Sequence, residues 1–210
     1  MNIEAIKAVV FDCDGVLFDT ALSNRKFYDE ILDAFGKKAL TQEQFINVHM
    51  MTVKAAIEYL FPEFEDHMPV YSKIKEIGYA KFIPYMEMEM GLPELLDAIK
   101  DAGLIRGIAT NRTNTMESVL IDNNLTTDFD MVVTAADVDN PKPAPDQLHK
   151  IMTAYGFSPK EIVFIGDSEY DQKAAHAAGT WFIAFKQPTL DAHVHVGSMK
   201  EVGQVLQINK

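Results

Sequence analysis

The stretch VVFDCDGVLFDT, residues 9–20, joins an apolar run to a group of acidic side chains. Asp12 and Asp14 flank Cys13, and Asp19 follows five residues after Asp14. Residues two apart on a strand point to the same side, so these two carboxylates repel each other unless a cation or a shared proton lies between them. The stretch therefore predicts a buried strand that ends at a charged site.

The composition is that of a globular protein with a strongly acidic surface. The 210 residues are 48% hydrophobic and 24% charged, which is enough for one full core and a second small module. A net charge of -12 disfavours binding to nucleic acid and to anionic membranes. No apolar run approaches the roughly 20 residues that span a bilayer. We therefore expect no nucleic-acid or membrane partner.

The single cysteine and the first residues of the sequence indicate the cellular compartment of the protein. One cysteine allows no intrachain disulfide, which fits a reducing compartment. The opening residues MNIEAIKAVVFD lead directly into a strand, so we expect no signal peptide. These features predict a cytoplasmic protein.

Short β-rich runs alternate with helical patterns along most of the chain. The runs are mostly continuous apolar, which is typical of strands covered on both faces. Strand and helix alternation with short links predicts right-handed βαβ units. The fold class is therefore α/β, with a Rossmann-like, doubly wound parallel sheet. The predicted strands are 8–14, 105–111, 130–138, 161–168 and 180–185.

One interval breaks this alternation. Residues 20–85 carry helical patterns and no convincing strand, with Pro62 and Pro69 marking an internal turn. We predict an inserted α-helical cap domain over 20–85. The α/β core domain would then consist of residues 1–19 and 86–210.

Four polar clusters follow predicted strands. In a doubly wound sheet, ligands bind at the carboxyl ends of the strands, so the topology would gather these clusters into one crevice. The clusters are Asp12 and Asp14, then Thr110, Asn111 and Arg112, then Lys142, and finally Asp167, Ser168 and Asp171. The candidate site residues among them are Asp12, Asp14, Thr110, Asn111, Lys142, Asp167 and Asp171.

These residue types suit phosphoryl chemistry. Mg²⁺ prefers oxygen ligands, for which Asp12 and Asp167 are candidates, with Asp171 as a support or a further ligand. A free carboxylate can attack phosphorus and form an aspartyl-phosphate. Lys142 would balance the remaining negative charge, and Asp14 is placed to donate and accept the proton.

Each cluster also has an ordinary structural explanation. DxDG can form a turn, TN can cap a helix, KPAPD can be a rigid surface loop, and GDSEYD can begin a capped helix. The order of all four, each after a predicted strand, favours a single functional site.

With the clusters in this order, the chain resembles the haloacid dehalogenase (HAD) superfamily. The matching segments are DCDGVLFDT, IATN, KPAPD and VFIGDSEYD. The helical insertion resembles the C1-type cap of phosphoglycolate-phosphatase-like and β-phosphoglucomutase-like members.

The resemblance implies a role for each core residue. Asp12 matches the nucleophile and a Mg²⁺ ligand, and Asp14 matches the general acid/base, whose backbone carbonyl is a further ligand. Thr110 and Asn111 match the phosphate-binding pair, and Lys142 matches the stabilising lysine.

The fourth motif and the helical insertion supply the remaining candidates. Asp167 matches the metal carboxylate, and Asp171 matches the second acid of that motif, as a direct ligand or through a metal-bound water. Arg25 and His49 are candidate substrate contacts in the helical insertion. An acid at Asp14 favours phosphoryl chemistry over cleavage of carbon–halogen bonds, since the dehalogenases proper lack it.

The predicted function is a Mg²⁺-dependent phosphatase acting on a small phosphorylated metabolite, similar to phosphoglycolate or a sugar phosphate. A β-phosphoglucomutase-like phosphotransferase would use the same residues and remains an alternative. A non-catalytic phosphate-binding module is a third possibility. The protein is expected to be a monomer or a dimer.

Overall fold

The chain divides into two compact units. The computed structural model describes residues 1–49 and 51–208. One unit comprises Met1–Asp19 and Glu87–Lys210, and the other comprises Thr20–Met86. The predicted core domain includes residues 209 and 210, and the predicted helical domain includes Met50, all of which lie outside the described residues. The role of the helical unit as a cap stays a prediction.

The larger unit is built on a six-stranded parallel sheet. Its strands are β1 (Ala8–Phe11), β4 (Ile105–Ala109), β5 (Met131–Val133), β6 (Ile162–Gly166), β7 (Trp181–Phe185) and β8 (Val194–Val196). A separate antiparallel ribbon consists of β2 (Phe18–Asp19) and β3 (Glu87–Met88). The strand order of the sheet is β5-β4-β1-β6-β7-β8, so the first strand lies in the middle. This is the predicted α/β, Rossmann-like arrangement.

Helices flank this sheet and bury its apolar strands. All four residues of β1 and all five of β6 are buried, as their continuous apolar sequences predict. The helices of this unit are α5 (Leu92–Asp101), α6 (Met116–Asp122), α7 (Asp146–Tyr155), α8 (Glu169–Ala178) and α9 (Met199–Leu206). Among the described residues, no helix combines the length and apolar character needed to cross a bilayer.

The smaller unit is helical and has its own hydrophobic cluster. Aromatic side chains dominate it, including Phe27, Phe61 and Phe82. Thr52 caps its third helix by accepting a hydrogen bond from the N–H of Ala55 at 3.1 Å. Its helices are α1 (Ala21–Ala34), α2 (Gln42–His49), α3 (Val53–Leu60) and α4 (Met68–Ile77).

The strands are shorter than the predicted runs, and one strand was not predicted. The largest difference is in the run 130–138, of which only Met131–Val133 forms a strand. The first strand ends at Phe11 instead of residue 14, and the chain turns at once, with the N–H of Gly15 donating to the carbonyl of Phe18 at 2.8 Å. Asp12 and Asp14 therefore lie in a turn beyond the strand and not on one face of it. The strand Val194–Val196 was not among the predicted runs, because three residues carry too little periodicity to identify one.

Candidate active site

The ends of the two central strands bring Asp12 and Asp167 together. Asp12 follows β1 and Asp167 follows β6, and these strands pair in parallel. The N–H of Asp12 donates to the carbonyl of Ile165 at 2.9 Å, which continues the ladder up to the acid. One carboxylate oxygen of Asp12 also accepts a hydrogen bond from the N–H of Cys13 at 2.7 Å. Main-chain hydrogen bonds thus fix both the backbone of Asp12 and one oxygen of its side chain.

Lys142 lies between two of the predicted acids. Its Nζ is 2.8 Å from Oδ1 of Asp12 and 2.6 Å from Oδ1 of Asp171, and its side chain is 2% exposed. Burial alone would lower the pKa of Lys142, but Asp12 and Asp171 outweigh it and raise that pKa above its usual range. Lys142 is therefore a permanent positive charge beside Asp12, the predicted nucleophile.

Asn111 holds the backbone of this lysine in place. Its Nδ2 donates to the carbonyl of Lys142 at 2.9 Å. This connects the end of β4 to the loop that carries the lysine. A direct contact of Asn111 with phosphate stays a prediction.

Asp171 is fully buried and has both carboxylate oxygens engaged. Oδ1 accepts from Lys142, while Oδ2 accepts from the hydroxyl of Ser168 at 2.6 Å and from the N–H groups of Ser168 and Asp167 at 3.0 and 3.2 Å. Ser168 in return accepts from the N–H of Asp171, which completes a capping box at the start of α8. Asp171 is therefore placed to orient Lys142 and the turn that carries Asp167.

Asp167 packs directly against backbone at Gly15. A Cβ added to Gly15 would lie 2.0 Å from Oδ2 of Asp167, so only glycine leaves room for this carboxylate. Gly15 also has φ of +77°, which glycine adopts without strain. In residues 1–49 and 51–208, the Asp167 carboxylate has no hydrogen-bond donor and no cation within ion-pair distance. It is the open carboxylate of the site.

The donor set fits a bound divalent cation. Carboxylate oxygens of Asp12, Asp167 and Asp171 lie within 4.8 Å of one another, and we call these three acids with Lys142 the carboxylate cluster. Burial, followed by repulsion from Asp12 and Asp171, raises the pKa of Asp167 to about 8. Burial and the Asp171 charge likewise raise the pKa of Asp12. Three acids around one lysine leave an excess of negative charge that a hard cation with oxygen ligands would balance.

Thr110 is buried where β4 ends. Its Oγ1 accepts a hydrogen bond from the N–H of Arg112 at 3.1 Å, and its carbonyl accepts from Nε2 of Gln147 at 2.6 Å. Gln147 is fully buried on α7, so the helix fixes the end of the strand. Sequence reasoning did not identify Gln147, although a glutamine among the apolar positions of α7 is the signal that could have found it.

Asp14 is held by Arg112, a member of the second polar cluster to which the sequence assigned no catalytic role. Oδ2 accepts from Nε of Arg112 at 2.8 Å, and Oδ1 accepts from its Nη2 at 2.6 Å, which makes a two-point ion pair. Nη1 of Arg112 donates to Thr115 at 3.2 Å. Arg112 follows the Thr110–Asn111 pair, beyond the end of a strand that pairs with β1, so its place near the site could be predicted whereas its pairing with Asp14 could not.

The central cysteine of the opening motif has a packing role. Cys13 is fully buried, and burial followed by the charge of Asp14 raises the pKa of its thiol well above the usual range. A thiol that stays protonated is a poor nucleophile.

The two candidate residues of the helical unit have partners within that unit. Arg25 donates to Oε1 of Gln42 at 2.8 Å and to the carbonyl of Leu40 at 3.0 Å. The ring of His49 stacks on Phe45 at 5.2 Å. Contact of Arg25 or His49 with a substrate stays a prediction.

The family model that describes haloacid dehalogenase-like hydrolases matches residues 9–185, a span that includes all seven core candidates. The chain belongs to this family. A HAD-superfamily hydrolase of subfamily IA, variant 1, from Geobacter sulfurreducens has a similar structure: its TM-score is 0.84 at 37% identity, over 96% of this chain and 97% of that one.

Curated relatives of this HAD-like hydrolase are named phosphatases. Pyrophosphatase PpaX of Bacillus velezensis is 27% identical over 99% of this chain and 98% of its own length. A phosphoglycolate phosphatase of Shigella dysenteriae serotype 1 is 28% identical over 84% of this chain and 79% of its own length. With the family match, these relatives identify the chain as a phosphatase of the HAD type.

Proposed function

We propose that the protein is a Mg²⁺-dependent phosphatase that hydrolyses a small phosphomonoester through an aspartyl-phosphate on Asp12. The observation that carries this proposal is the position of Asp12: its carboxylate is fixed by backbone, is paired with the buried Lys142, and lies beside the open carboxylate of Asp167. A nucleophilic carboxylate, a fixed positive charge and an open oxygen ligand are the groups that this reaction needs.

Asp12 would attack the phosphorus atom through its free oxygen. Its Oδ1 already accepts hydrogen bonds from the Cys13 N–H and from Lys142, which leaves Oδ2 for the new bond. Lys142 would then face the phosphate as charge develops on its oxygens. Because Asp171 holds Lys142 from the other side, the ammonium group needs no reorganisation during the reaction.

The end of β4 would bind the phosphate oxygens. Thr110 offers a hydroxyl there, and Asn111 offers the amide hydrogen that its bond to Lys142 does not use. Gln147 holds the Thr110 carbonyl and so fixes this segment before substrate arrives. A preformed phosphate site lowers the entropic cost of reaching the reactive geometry.

Asp14 would move protons at the leaving oxygen. It would donate a proton to that oxygen when the ester bond breaks, and later accept one from the water that hydrolyses the aspartyl-phosphate. Arg112 holds both oxygens of Asp14 in this structure, so the carboxyl group would exchange one of these contacts for the substrate.

Asp12, Asp167 and the backbone carbonyl of Asp14 would hold the cation, with Asp171 supporting the turn that carries Asp167. When bound, Mg²⁺ would reduce the repulsion between the carboxylate nucleophile and the phosphate. The expected substrate is a small phosphorylated metabolite, either phosphoglycolate or a sugar phosphate.

Turnover of an aryl phosphate tests the mechanism. We expect hydrolysis that requires Mg²⁺ in the wild type and is lost by about 10⁴-fold or more in Asp12→Asn. Asp97→Asn, which removes an exposed carboxylate on α5, is the matched control and should keep full activity. Activity that survives Asp12→Asn, or that is indifferent to chelation, would rule the mechanism out.

A panel of phosphorylated metabolites tests the substrate class. Selective release of phosphate from phosphoglycolate would support the first substrate, whereas a preference for hexose phosphates would favour the second. Dependence on a catalytic amount of a sugar bisphosphate, with isomerised sugar phosphate as the product, would instead identify a phosphomutase.

A further inference from the structure

A cavity of about 300 Å³ opens in the sheet unit at the amino ends of β6 and β7. We call it the amino-end cavity. The carboxylate cluster lies at the carboxyl ends of β1 and β6, roughly one strand length or 15 Å away. The polar side chains that line the cavity are Lys160, His176, Thr180, Asp191 and His193.

The amino-end cavity gathers basic side chains in a protein whose net charge is -12. Lys160 carries a positive charge, His176 and His193 offer imidazole N–H groups, and Asp191 is the only acid among the lining residues. Over the described parts of the chain, no carboxylate lies within ion-pair distance of Lys160, His176 or His193. An ammonium group beside two imidazole donors can bind an anionic group.

Trp181 orders two of these groups. Nζ of Lys160 lies 4.2 Å from the indole centroid, and the indole Nε1 donates to the carbonyl of Lys160 at 3.0 Å. The ring of His193 packs edge-on against the same indole at 4.8 Å. The neighbouring acid, Glu161, is already paired with Lys7 at 2.6 Å and leaves the Lys160 charge uncompensated.

His193 presents a hydrogen-bond donor in its neutral form. Its Nδ1 accepts from the N–H of Phe182 at 3.1 Å, so the ring proton of the neutral imidazole is on Nε2. Burial, and then the positive charges of Lys160 and His176, lower the pKa of His193. A bound anion would reduce the repulsion among these basic groups, and they would in turn stabilise the anion.

Asp191 narrows the class of ligand. Its loop is fixed to α8, because the N–H of Asp191 donates to Oε1 of Gln172 at 2.8 Å. A carboxylate repels a bare oxyanion but accepts hydrogen bonds from hydroxyl groups. The volume is at the lower end of the range for small-molecule sites.

We propose that the amino-end cavity binds a small organic oxyanion that also carries hydroxyl groups. Lys160, His176 and His193 contact the anionic group, and Asp191 accepts a hydrogen bond from a hydroxyl. This site is separate from the proposed catalytic site and does not depend on the reaction assigned there.

Fluorescence of Trp181, the single tryptophan of the chain, reports binding directly. The probe is glucose 6-phosphate, added to the Asp12→Asn protein with a chelator so that it is not consumed. Glucose and inorganic phosphate are its two halves and are titrated separately. Equilibrium dialysis of radiolabelled glucose 6-phosphate provides a second measurement that does not depend on the indole.

Three variants in the Asp12→Asn background test the assignment. Lys160→Met should weaken glucose 6-phosphate binding by about tenfold or more. Asp191→Ala should weaken glucose 6-phosphate binding but strengthen inorganic phosphate binding, since it removes both the acceptor for the hydroxyl and the repulsion of the phosphate. Lys200→Met, an exposed lysine on α9, changes the net charge equally and should leave both affinities unchanged.

The proposal is supported if Lys160→Met removes the Trp181 response while Lys200→Met retains it. It is overturned if neither method shows saturable binding up to about 10 mM, or if Lys160→Met binds as its parent does. An equal effect of Asp191→Ala on the affinities for glucose 6-phosphate and for inorganic phosphate would disprove the hydroxyl contact.

Discussion

The two ends of the parallel sheet carry different sets of charged groups. At the carboxyl end, three acids lie close together, and two of them pair with the buried Lys142. At the amino end, three basic side chains border a cavity with one acid, Asp191. Lys142 and its two partners are buried and held by short hydrogen bonds, whereas the side chains of the second set reach solvent. Burial therefore decides how far each charge resists screening and how much it contributes to stability.

Lys142→Met should have the largest effect, because it leaves Asp12 and Asp171 buried without a cation. We expect metal-free protein to lose about 3–5 kcal/mol in its free energy of unfolding. The kcat for an aryl phosphate should fall by about 10²–10³-fold. Urea denaturation and steady-state kinetics measure the two effects.

Lys173→Met is the matched control for that change. Lys173 pairs with Glu169 at 2.9 Å, but both side chains are more than half exposed. Its loss should cost less than about 1 kcal/mol. Equal losses in the free energy of unfolding for Lys142→Met and Lys173→Met would contradict the larger contribution of the buried charge.

Gly15→Ala should be the next largest change, because the new methyl group would meet the Asp167 carboxylate. Displacement of Asp167 should lower kcat and raise the Mg²⁺ concentration needed for half-maximal activity. Gly36→Ala is the control, since Gly36 has φ of +68° and no atom within 4 Å of the added Cβ. Gly36→Ala should lose only about 1–2 kcal/mol in its free energy of unfolding, because alanine is strained at a positive φ, and its activity should be intact. The same metal requirement in both variants would contradict the close packing of Asp167.

Arg112→Lys tests the partly exposed edge of the carboxyl end. Lysine keeps the charge but loses the two-point contact with Asp14, so Asp14 should sample positions away from the leaving oxygen. We expect kcat to fall by about tenfold to 10²-fold, with a smaller change in KM. Arg106→Lys, which alters a similar two-point pair with Asp130 away from the site, should leave kcat unchanged. A change confined to KM would show that Arg112 acts on substrate binding alone.

His193 should give the smallest effect and reports on the amino end. Its pKa is lowered in the folded protein, so the unfolded chain binds the proton more readily. Its contribution to stability is present above the ordinary histidine pKa near 6.5 and is lost as the pH falls through the lower folded value. The urea midpoint should therefore decrease more from pH 8 to pH 5 in the wild type than in His193→Gln. Identical falls would show that His193 titrates as it does in the unfolded chain.

Sequence alone predicted the features that depend on local pattern. The continuous apolar runs predicted the buried strands of the central sheet, and the order of the four motifs predicted which acids lie near Lys142. The helical character of residues 20–85 also follows from periodicity. The apolar runs and the helical periodicity require only a short window of sequence, and the motif order requires only the positions of four short segments.

The remaining features depend on which distant side chains meet. The pairing of Asp14 with Arg112 joins residues 98 positions apart, and neither sequence neighbourhood contains a sign of the other. The amino-end cavity likewise combines a turn, a helix end and a loop. Asp171 was predicted as a possible metal ligand, but the hydrogen bonds that occupy both its oxygens become visible only once Ser168 and Lys142 are placed.

The central position of β1 has a consequence for synthesis of the protein. Ala8 pairs with Ile105 on one side and with Ile162 on the other. The first strand is therefore synthesised well before either of the strands with which it pairs. At ribosomal speeds of about 5–20 residues per second, the second partner emerges roughly 8–30 s later. During that interval an apolar strand has an open edge, which is the form that associates with other nascent chains. Pauses in translation between residues 105 and 162 would lengthen that exposure.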